Sequence, residues 1–290
     1  MARKAASTGP GPMIMVALEQ KFPESVRIIN DELALGILPL GARAVVWLKL
    51  RLMSVDNMVK WTEKRMPGLW AGFMCRKRYI DDKLSEAAGV DTGAVVNLGA
   101  GFDTRVYRLP ALAKLTVWEV DQPKNIDAKR IMLTKIFKEV PAHITLVPID
   151  FDHEVLDNVL PSYGFAGDQK TFFIWEAVTQ YLPEESVRKT FDYLAEASPG
   201  SQLVFTYVRK DFIGGKMLYD QKYIYENMVI KDESWLFGLE PDEVDDFLVT
   251  YGWRMQEHLG YDELAEIYVK PTGRKLLSTP LERMVLAQKA

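Results

Sequence analysis

The sequence predicts an α/β fold, a doubly wound and mostly parallel sheet with a helical segment in front of it. Three observations support this prediction. The apolar residues between positions 13 and 88 have helical rather than alternating spacing. From Thr92 onward, short runs of β-forming residues alternate with helical segments, as in parallel sheets. The first run, Val95–Leu98, breaks into a turn at Gly99 and Gly101, which is typical of a strand that leads into a glycine-rich loop.

Composition limits the classes of function. The 290 residues are 48% apolar and 26% charged, as in an enzyme domain with a helical annex. The net charge of −4 gives no electrostatic support to a nucleic-acid partner. The best membrane candidate, Ala44–Met53, is interrupted by Lys49 and Arg51 and is too short to cross a bilayer, so we expect no membrane partner. The single cysteine, Cys75, excludes intrachain disulfides and cysteine-based zinc clusters, and we predict a cytoplasmic protein without a metal site.

The expected organisation has three parts. Residues 1–12 lack the apolar segment of a signal peptide and are expected to form a disordered tail. Residues 13–90 are expected to form a helical cap, and residues 91–290 a Rossmann-like domain. Within that domain, residues 211–239 are rich in aromatic residues and methionine, which fits either core packing or a lid over a substrate site.

Most of the expected strands end beside a polar residue or glycine. Because the carboxyl ends of parallel strands meet at one edge of an open sheet, we expect the ligand at that edge. The expected parallel strands are Ala94–Leu98, Leu115–Val120, Ile144–Val147, Thr171–Trp175 and Gln202–Tyr207. We expect Trp253–Leu259 and Leu264–Lys270 to add an antiparallel hairpin at the sheet edge.

The loop after the first strand is expected to bind a nucleotide. Gly99 and Gly101 lack Cβ atoms, so a ligand can approach their peptide groups closely. A dinucleotide fingerprint has an acid about 20 residues further on, after the second strand. Asp121 occupies that place and is suited to bind the ribose hydroxyls.

Three further residues at strand ends are candidate ligand contacts. Asp150 is suited to accept a hydrogen bond from an adenine amino group, and Phe151 offers that ring an apolar face. Glu176 is suited to a cationic part of the ligand. Each of these acids is equally suited to cap the helix that follows it.

These features fit three classes of protein: a methyltransferase that uses S-adenosylmethionine, a nicotinamide-dependent oxidoreductase, and a regulatory protein without chemistry. The expected terminal hairpin favours the methyltransferase, because that class usually follows five parallel strands with a helix and an antiparallel hairpin. Phe102-Asp103-Thr104 stands where the dinucleotide fingerprint has its third glycine, which weighs against the oxidoreductase.

Three longer motifs carry a resemblance to a known family. They are Leu98–Arg105 with Tyr107-Arg108-Leu109, Glu119–Pro123, and Trp175–Leu182. With these motifs the chain resembles the leucine carboxyl methyltransferase-like family, and within it the bacterial small-molecule O-methyltransferases of polyketide and other secondary metabolism. The likeness runs from about Asp31 to the C-terminus.

The resemblance implies a class I methyltransferase fold with a helical cap over S-adenosylmethionine, which leaves as S-adenosylhomocysteine. The family usually has Arg-Thr-Arg where this chain has Arg76-Lys77-Arg78, so either arginine is a candidate partner for the methionine carboxylate, with Arg76 preferred. The implied cofactor contacts are Arg76, Gly99, Gly101, Asp121, Gln122, Asp150, Phe151 and Glu176.

The implied reaction is methyl transfer to a small molecule, most simply to the oxygen of a carboxylate or a phenol. Because the methyl group of a sulfonium is already electrophilic, alignment of the acceptor is the main requirement. Tyr207, Tyr219 and Tyr223 are candidates to orient the acceptor, and no general base is assigned. Methylation of carbon in an aromatic or prenylated metabolite and NAD(P)-dependent oxidoreduction are the alternatives, and the oligomeric state, including a homo-oligomer, is open.

Overall fold

The computed structural model describes residues 10–150 and 153–290. Its strands are β1 (Ala94–Leu98), β2 (Thr116–Asp121), β3 (Ile144–Pro148), β4 (Thr171–Trp175), β5 (Gln202–Val208), β6 (Trp253–Leu259) and β7 (Glu282–Lys289). They form one seven-stranded sheet in the order β3-β2-β1-β4-β5-β7-β6. The first five strands are parallel, and β7 runs antiparallel to both β5 and β6. The predicted fold class, a class I methyltransferase sheet, is confirmed.

The five parallel strands lie close to the predicted positions. The prediction of a strand at Leu264–Lys270, the second strand of the hairpin, is wrong. Residues 264–270 are largely helical, because the helix Tyr261–Tyr268 covers most of them. The backbone N–H of Gly260 donates to Glu263 Oε2 at 2.9 Å, which satisfies a donor at the start of that helix. The strand that pairs with β6 is β7, further along the chain.

From residue 10 onward, four α-helices precede the sheet: α1 (Pro10–Glu19), α2 (Leu40–Leu52), α3 (Val55–Arg65) and α4 (Leu69–Ala88). Helix α1 begins inside the expected tail. The later helices are α5 (Arg105–Arg108), α6 (Pro123–Phe137), α7 (Leu156–Ser162), α8 (Glu184–Ala195), α9 (Lys210–Ile213), α10 (Lys222–Ile224), α11 (Val244–Thr250) and α12 (Tyr261–Tyr268), with a π-helix at Tyr225–Lys231. Among the described residues, none of the helices combines the length and the apolar character needed to span a bilayer.

Helices cover both faces of the sheet. Along β1, Val95 packs into one core and its neighbour Val96 into the other, because successive side chains of a strand point to opposite faces. The first core continues into the helical cap through Met74 and Leu84 of α4. The second core contains Phe191 of α8. Helix α4 is thereby fixed over the sheet, near the carboxyl ends of the strands.

Candidate functional site

A cavity of about 710 Å³ opens at the carboxyl edge of the parallel strands. Its volume lies within the range of roughly 300–1,000 Å³ that is usual for small-molecule sites. The cap, the loops that follow β1, β2 and β4, and the segment 221–235 all contribute to its walls. Most of the residues in the predicted cofactor set line it, namely Arg76, Gly99, Gly101, Asp121, Gln122 and Glu176.

The glycine loop lies against the ends of β2 and β4. Gly99 has φ +74°, and a Cβ there would lie 2.3 Å from Val178 Cγ2, so both backbone conformation and close packing require glycine. Gly101 also has a positive φ of +46°. Its N–H donates to Asp121 Oδ2 at 2.6 Å, which joins the loop to the end of β2.

Asp121 is buried and already accepts three hydrogen bonds. Besides Gly101, the donors are the backbone N–H of Gln122 at 2.6 Å and Asn125 Nδ2 at 2.8 Å. Burial raises the pKa of Asp121, although these hydrogen bonds oppose the shift. Because a carboxylate offers about four acceptor positions, roughly one remains for a hydroxyl group in the cavity.

Arg76 joins the cap to two carboxylates of the sheet. Its Nε donates to Glu176 Oε1 at 2.9 Å and its Nη1 to Glu282 Oε2 at 2.7 Å. The hydroxyl of Tyr261 also donates to Glu282 Oε2, at 2.7 Å. Only 2% of the Arg76 side chain is exposed. A ligand carboxylate at Arg76 would therefore share this guanidinium with two protein carboxylates.

Glu176 lies among three cations. Lys77 Nζ is 3.4 Å from its Oε1, and Arg105 Nη2 bonds to its Oε2. Burial alone would raise the pKa of Glu176, but Lys77, Arg105 and Arg76 outweigh burial and lower it. Glu176 is therefore ionised and fixed at neutral pH. The residue that follows, Ala177, has a strained φ of +56°, and its N–H donates to Thr206 Oγ1 at 2.8 Å.

Several predicted residues lie elsewhere. Arg78 is on the outer side of α4, where it pairs with Asp82 at 2.9 Å, so Arg76 rather than Arg78 faces the cavity. Asp150 does not line the cavity; its carboxylate lies 2.8 Å from the ring of His153. Phe151 lies outside the described residues.

The three tyrosines also lie away from the cavity walls. Tyr207 is fully buried with its hydroxyl 2.9 Å from His258 Nε2. Tyr219 bonds to Asp211, and the ring of Tyr223 lies against the guanidinium of Arg65. The segment 211–239, which contains Tyr219 and Tyr223, does reach the cavity, but through other side chains.

Sequence reasoning missed a set of polar groups that line the cavity. Their buried polar atoms have no hydrogen-bond partner within the described residues, which is unusual enough to indicate a ligand. The atoms are Asn97 Nδ2, Gln180 Oε1, Gln221 Oε1, Trp235 Nε1 and Glu282 Oε1. Asn97 is the last residue but one of β1, close to the glycine loop. A polar residue at that place in an otherwise apolar strand is a sequence signal for a ligand contact. Gln180 lies within the Trp175–Leu182 motif, whereas Gln221, Trp235 and Glu282 reach the site through long-range packing that no local motif reveals.

The inner end of the cavity suits the expected cofactor, S-adenosylmethionine, by charge and shape. Four carboxylates, Asp103, Asp121, Glu176 and Glu282, line the cavity together with three cations, Lys49, Arg76 and Lys77, and this acidic balance complements a sulfonium. At Gly101 a Cβ would meet only the carbonyl oxygen of Gly99, at 4.0 Å, so this part of the loop leaves room for a ligand to approach the backbone. Within residues 10–150 and 153–290, His, Cys, Asp and Glu side chains form no group able to hold a metal ion.

Comparisons with known proteins agree with this geometry. Residues 11–195 match the family model for leucine carboxyl methyltransferase. A candidate S-adenosyl-L-methionine-dependent methyltransferase of Mycobacterium avium is 29% identical over 213 residues, which cover 70% of this chain and 68% of that protein. One of Mycolicibacterium paratuberculosis is 30% identical over 195 residues, covering 67% of this chain and 71% of its own length.

Solved structures share the fold at low sequence identity. A candidate methyltransferase from Thermobifida fusca superposes with a TM-score of 0.54 and 13% identity, over 82% of this chain and 89% of that chain. A DUF574 family protein from Streptomyces avermitilis gives a TM-score of 0.54 and 11% identity, over 82% and 91% of the two chains. The family match decides among the three classes left open by the glycine loop. The chain belongs to the leucine carboxyl methyltransferase family and is an S-adenosylmethionine-dependent methyltransferase.

Proposed function

We propose that this enzyme methylates a hydroxyl group of a small, largely apolar molecule, as in secondary metabolism. The cofactor would occupy the inner end of the cavity, held by Arg76, Asp121 and Glu176 and by the backbone of the glycine loop. The cap formed by residues 13–90 and the segment 211–239 would enclose the acceptor. This segment and Glu282 both lie beyond the residues that match the family model, whereas the cap lies within them, so only this part of the acceptor wall is outside the matched range.

Much of the cavity lining is apolar. It includes Leu18, Met58, Met66, Leu69, Ile224 and Met228. Methionine side chains are flexible and polarisable, so they fit irregular apolar ligands. This lining favours an acceptor with a hydrocarbon or aromatic body over a charged one, since transfer of an ionised group into such surroundings is costly.

One observation carries the choice of a hydroxyl acceptor. The Nε2 of Gln221 donates to the carbonyl of Pro67, which fixes the amide so that its Oε1 is the free acceptor. Gln221 is fully buried, and Oε1 has no partner among the described residues. Such an oxygen needs a donor, which a hydroxyl supplies and an ionised carboxylate does not. We therefore favour a hydroxyl over a carboxylate.

A hydroxyl has one proton, so Gln221 Oε1 and Glu282 Oε1 need separate donors. Gln221 would bind a neighbouring hydroxyl of the acceptor, and Glu282 would bind the reacting hydroxyl and take its proton as the oxygen–methyl bond forms. The Oε2 of Glu282 is occupied by Arg76 and Tyr261, whereas its Oε1 is buried, lines the cavity and lacks a partner within the described residues. No histidine of the described chain lines the cavity. The bound cofactor supplies the electrophilic methyl group, and the chain's own contribution is alignment and orientation of the oxygen through Glu282.

The test uses pairs of aromatic compounds that differ only in bearing a hydroxyl or a carboxylate. Each is incubated with the enzyme and S-adenosylmethionine, and the products are identified by mass spectrometry and NMR. We expect methyl ethers from the hydroxyl members of the panel. Methyl esters without ethers, or methyl groups on ring carbon, would contradict the proposal.

A further inference from the structure

Helix α2 presents apolar side chains to solvent. Of its thirteen residues only Val46 is buried, and Ala42 and Leu50 pack partly against the core. A surface helix of a globular protein normally shows the opposite arrangement, with polar residues outward. The outward apolar residues are Leu40 (65% exposed), Val45 (42%), Trp47 (62%), Leu48 (51%) and Leu52 (73%).

The same surface continues into α3. Met53, between the helices, is 40% exposed and Trp61 is 53% exposed. Trp47 and Trp61 are the only tryptophans among the large exposed apolar residues of the described chain. We call the seven residues Leu40, Val45, Trp47, Leu48, Leu52, Met53 and Trp61 the apolar patch. A contiguous patch of this kind on a protein surface marks an interaction site.

The apolar patch lies in a strongly basic segment of an acidic protein. Residues 40–65 contain six basic and two acidic residues, a net charge of +4, whereas the whole chain has −4. The guanidinium of Arg51 lies 5.4 Å from the ring centroid of Trp47, and that of Arg65 lies 5.5 Å from Trp61. Exposed tryptophans beside basic side chains are characteristic of helices that lie in a membrane interface.

The patch also borders the cavity. Lys49, Leu52, Met53 and Trp61 are exposed and line the cavity as well. If α2 rested on another surface, a molecule held in that surface would therefore lie next to the opening of the cavity.

We propose that α2 and α3 dock on the surface of an anionic phospholipid bilayer. The apolar patch would enter the headgroup region, and the basic residues would contact lipid phosphates. A second copy is a poorer occupant, because a symmetric contact would bring two segments of charge +4 together. The sequence-based expectation of no membrane partner considered only spanning helices, whereas this contact is peripheral. One consequence, which rests on the proposed function, is that apolar acceptors would enter the cavity from the lipid.

The test is flotation of the full chain with vesicles, without cofactor. We expect the protein to float with phosphatidylglycerol vesicles and not with phosphatidylcholine vesicles. The double variant Trp47→Glu, Leu48→Glu should lose flotation, because it places two negative charges on the apolar patch. It should leave the cavity unchanged, because both residues are exposed and neither lines the cavity. The control variant Ile131→Glu changes a residue of α6 that is 54% exposed and should float like the wild type. Lys60→Gln with Lys64→Gln should weaken binding by roughly fivefold per charge removed.

The outcomes separate docking from catalysis. Absence of flotation, or equal flotation of the wild type and the Trp47→Glu, Leu48→Glu variant, would overturn docking. So would a dimer in sedimentation velocity that the same variant abolishes, because the patch would then bind a second copy. Calorimetry with S-adenosylhomocysteine should give equal affinity for wild type and variant. Flotation of a wild type that forms no methyl ether would overturn the proposed function alone.

Discussion

Arg76 Nη1 lies 2.7 Å from Glu282 Oε2, and this contact links helix α4 of the cap to strand β7 of the sheet. Both side chains are less than one-tenth exposed. The pair therefore couples the two halves of the site. The contact joins the cap directly to the sheet at a wall of the cavity.

Replacement of Arg76 by alanine should destabilise the protein and weaken cofactor binding together. It leaves Glu282 buried without its cation, and loss of one partner of a buried pair costs about 3–5 kcal/mol. Arg78→Ala removes a largely exposed pair with Asp82 and a contact 6.0 Å from the ring centroid of Tyr268, and should cost about 1 kcal/mol. Urea unfolding and calorimetry with S-adenosylhomocysteine measure both effects. Equal stability of the two variants would show that the buried pair contributes nothing.

Asp121→Ala should lower the affinity for S-adenosylhomocysteine by roughly tenfold or more, because a hydrogen bond to a charged group contributes about 1.5–3 kcal/mol. The matched control is Asp127→Ala, which removes an exposed carboxylate on α6 and should leave the affinity unchanged. Calorimetry measures both variants. Normal affinity in Asp121→Ala would remove this residue from the cofactor site.

Gln221→Leu should reduce kcat/KM for hydroxyl acceptors by about fivefold, the value of an ordinary hydrogen bond. Affinity for S-adenosylhomocysteine should not change, since the residue belongs to the acceptor wall. Because the variant also loses the bond to the Pro67 carbonyl, its thermal midpoint is measured in parallel. An unchanged kcat/KM in a folded variant would contradict the role given to Oε1.

Lys129→Met should destabilise the protein by about 3–5 kcal/mol, since Lys129 and Glu119 form a fully buried pair at 2.7 Å. Burial raises the pKa of Glu119 even though Lys129 opposes the shift. Adding Glu119→Gln to Lys129→Met removes the stranded charge and should recover much of the loss. Chemical unfolding of the single and double variants tests this. A double variant as unstable as the single one would contradict it.

His258 should make stability depend on pH. Burial, followed by the charge of Arg283, lowers its pKa from 6.5 to about 4. Both the Tyr207 hydroxyl and Arg283 Nε meet its Nε2, at 2.9 and 3.0 Å, so the folded ring is neutral. Between pH 6.5 and pH 4, His258 binds a proton in the unfolded chain but not in the folded chain. Its contribution to the free energy of unfolding therefore falls as the pH decreases through this range and becomes constant below pH 4.

The control for this effect is His258→Gln, in which the free energy of unfolding should change less between pH 7 and pH 5 than in the wild type. Urea unfolding at the two pH values provides the comparison. Identical pH dependence in both proteins would assign the effect to other groups.

The sequence predicted the elements whose signals are local. Strands β1 and β4 have the expected bounds because each is an apolar run between polar residues or turns. Asp121 and Glu176 were identified because they follow such strands. Arg76 came from the family resemblance, since its spacing alone is equally typical of a solvated helix face.

The remaining parts of the site depend on contacts between distant residues. Leu264–Lys270 is short and apolar enough for either a strand or a helix, and the cap at Gly260 and packing of α12 against α4 decide for the helix. Because the sequence pattern predicts the last strand at this segment, it gives no signal for β7 or for Glu282. Gln221 is positioned by the carbonyl of Pro67, a partner 154 residues away in sequence.

The position of β7 between β5 and β6 imposes an order on folding. Strand β6 precedes β7 in the chain, yet it touches the sheet only through β7. Residues 253–259 can therefore pair with the sheet only together with residues 282–289 or after them. Because such non-local pairing is slow, assembly of the antiparallel strands should be a late event in refolding, and the site should acquire its Glu282 carboxylate only then.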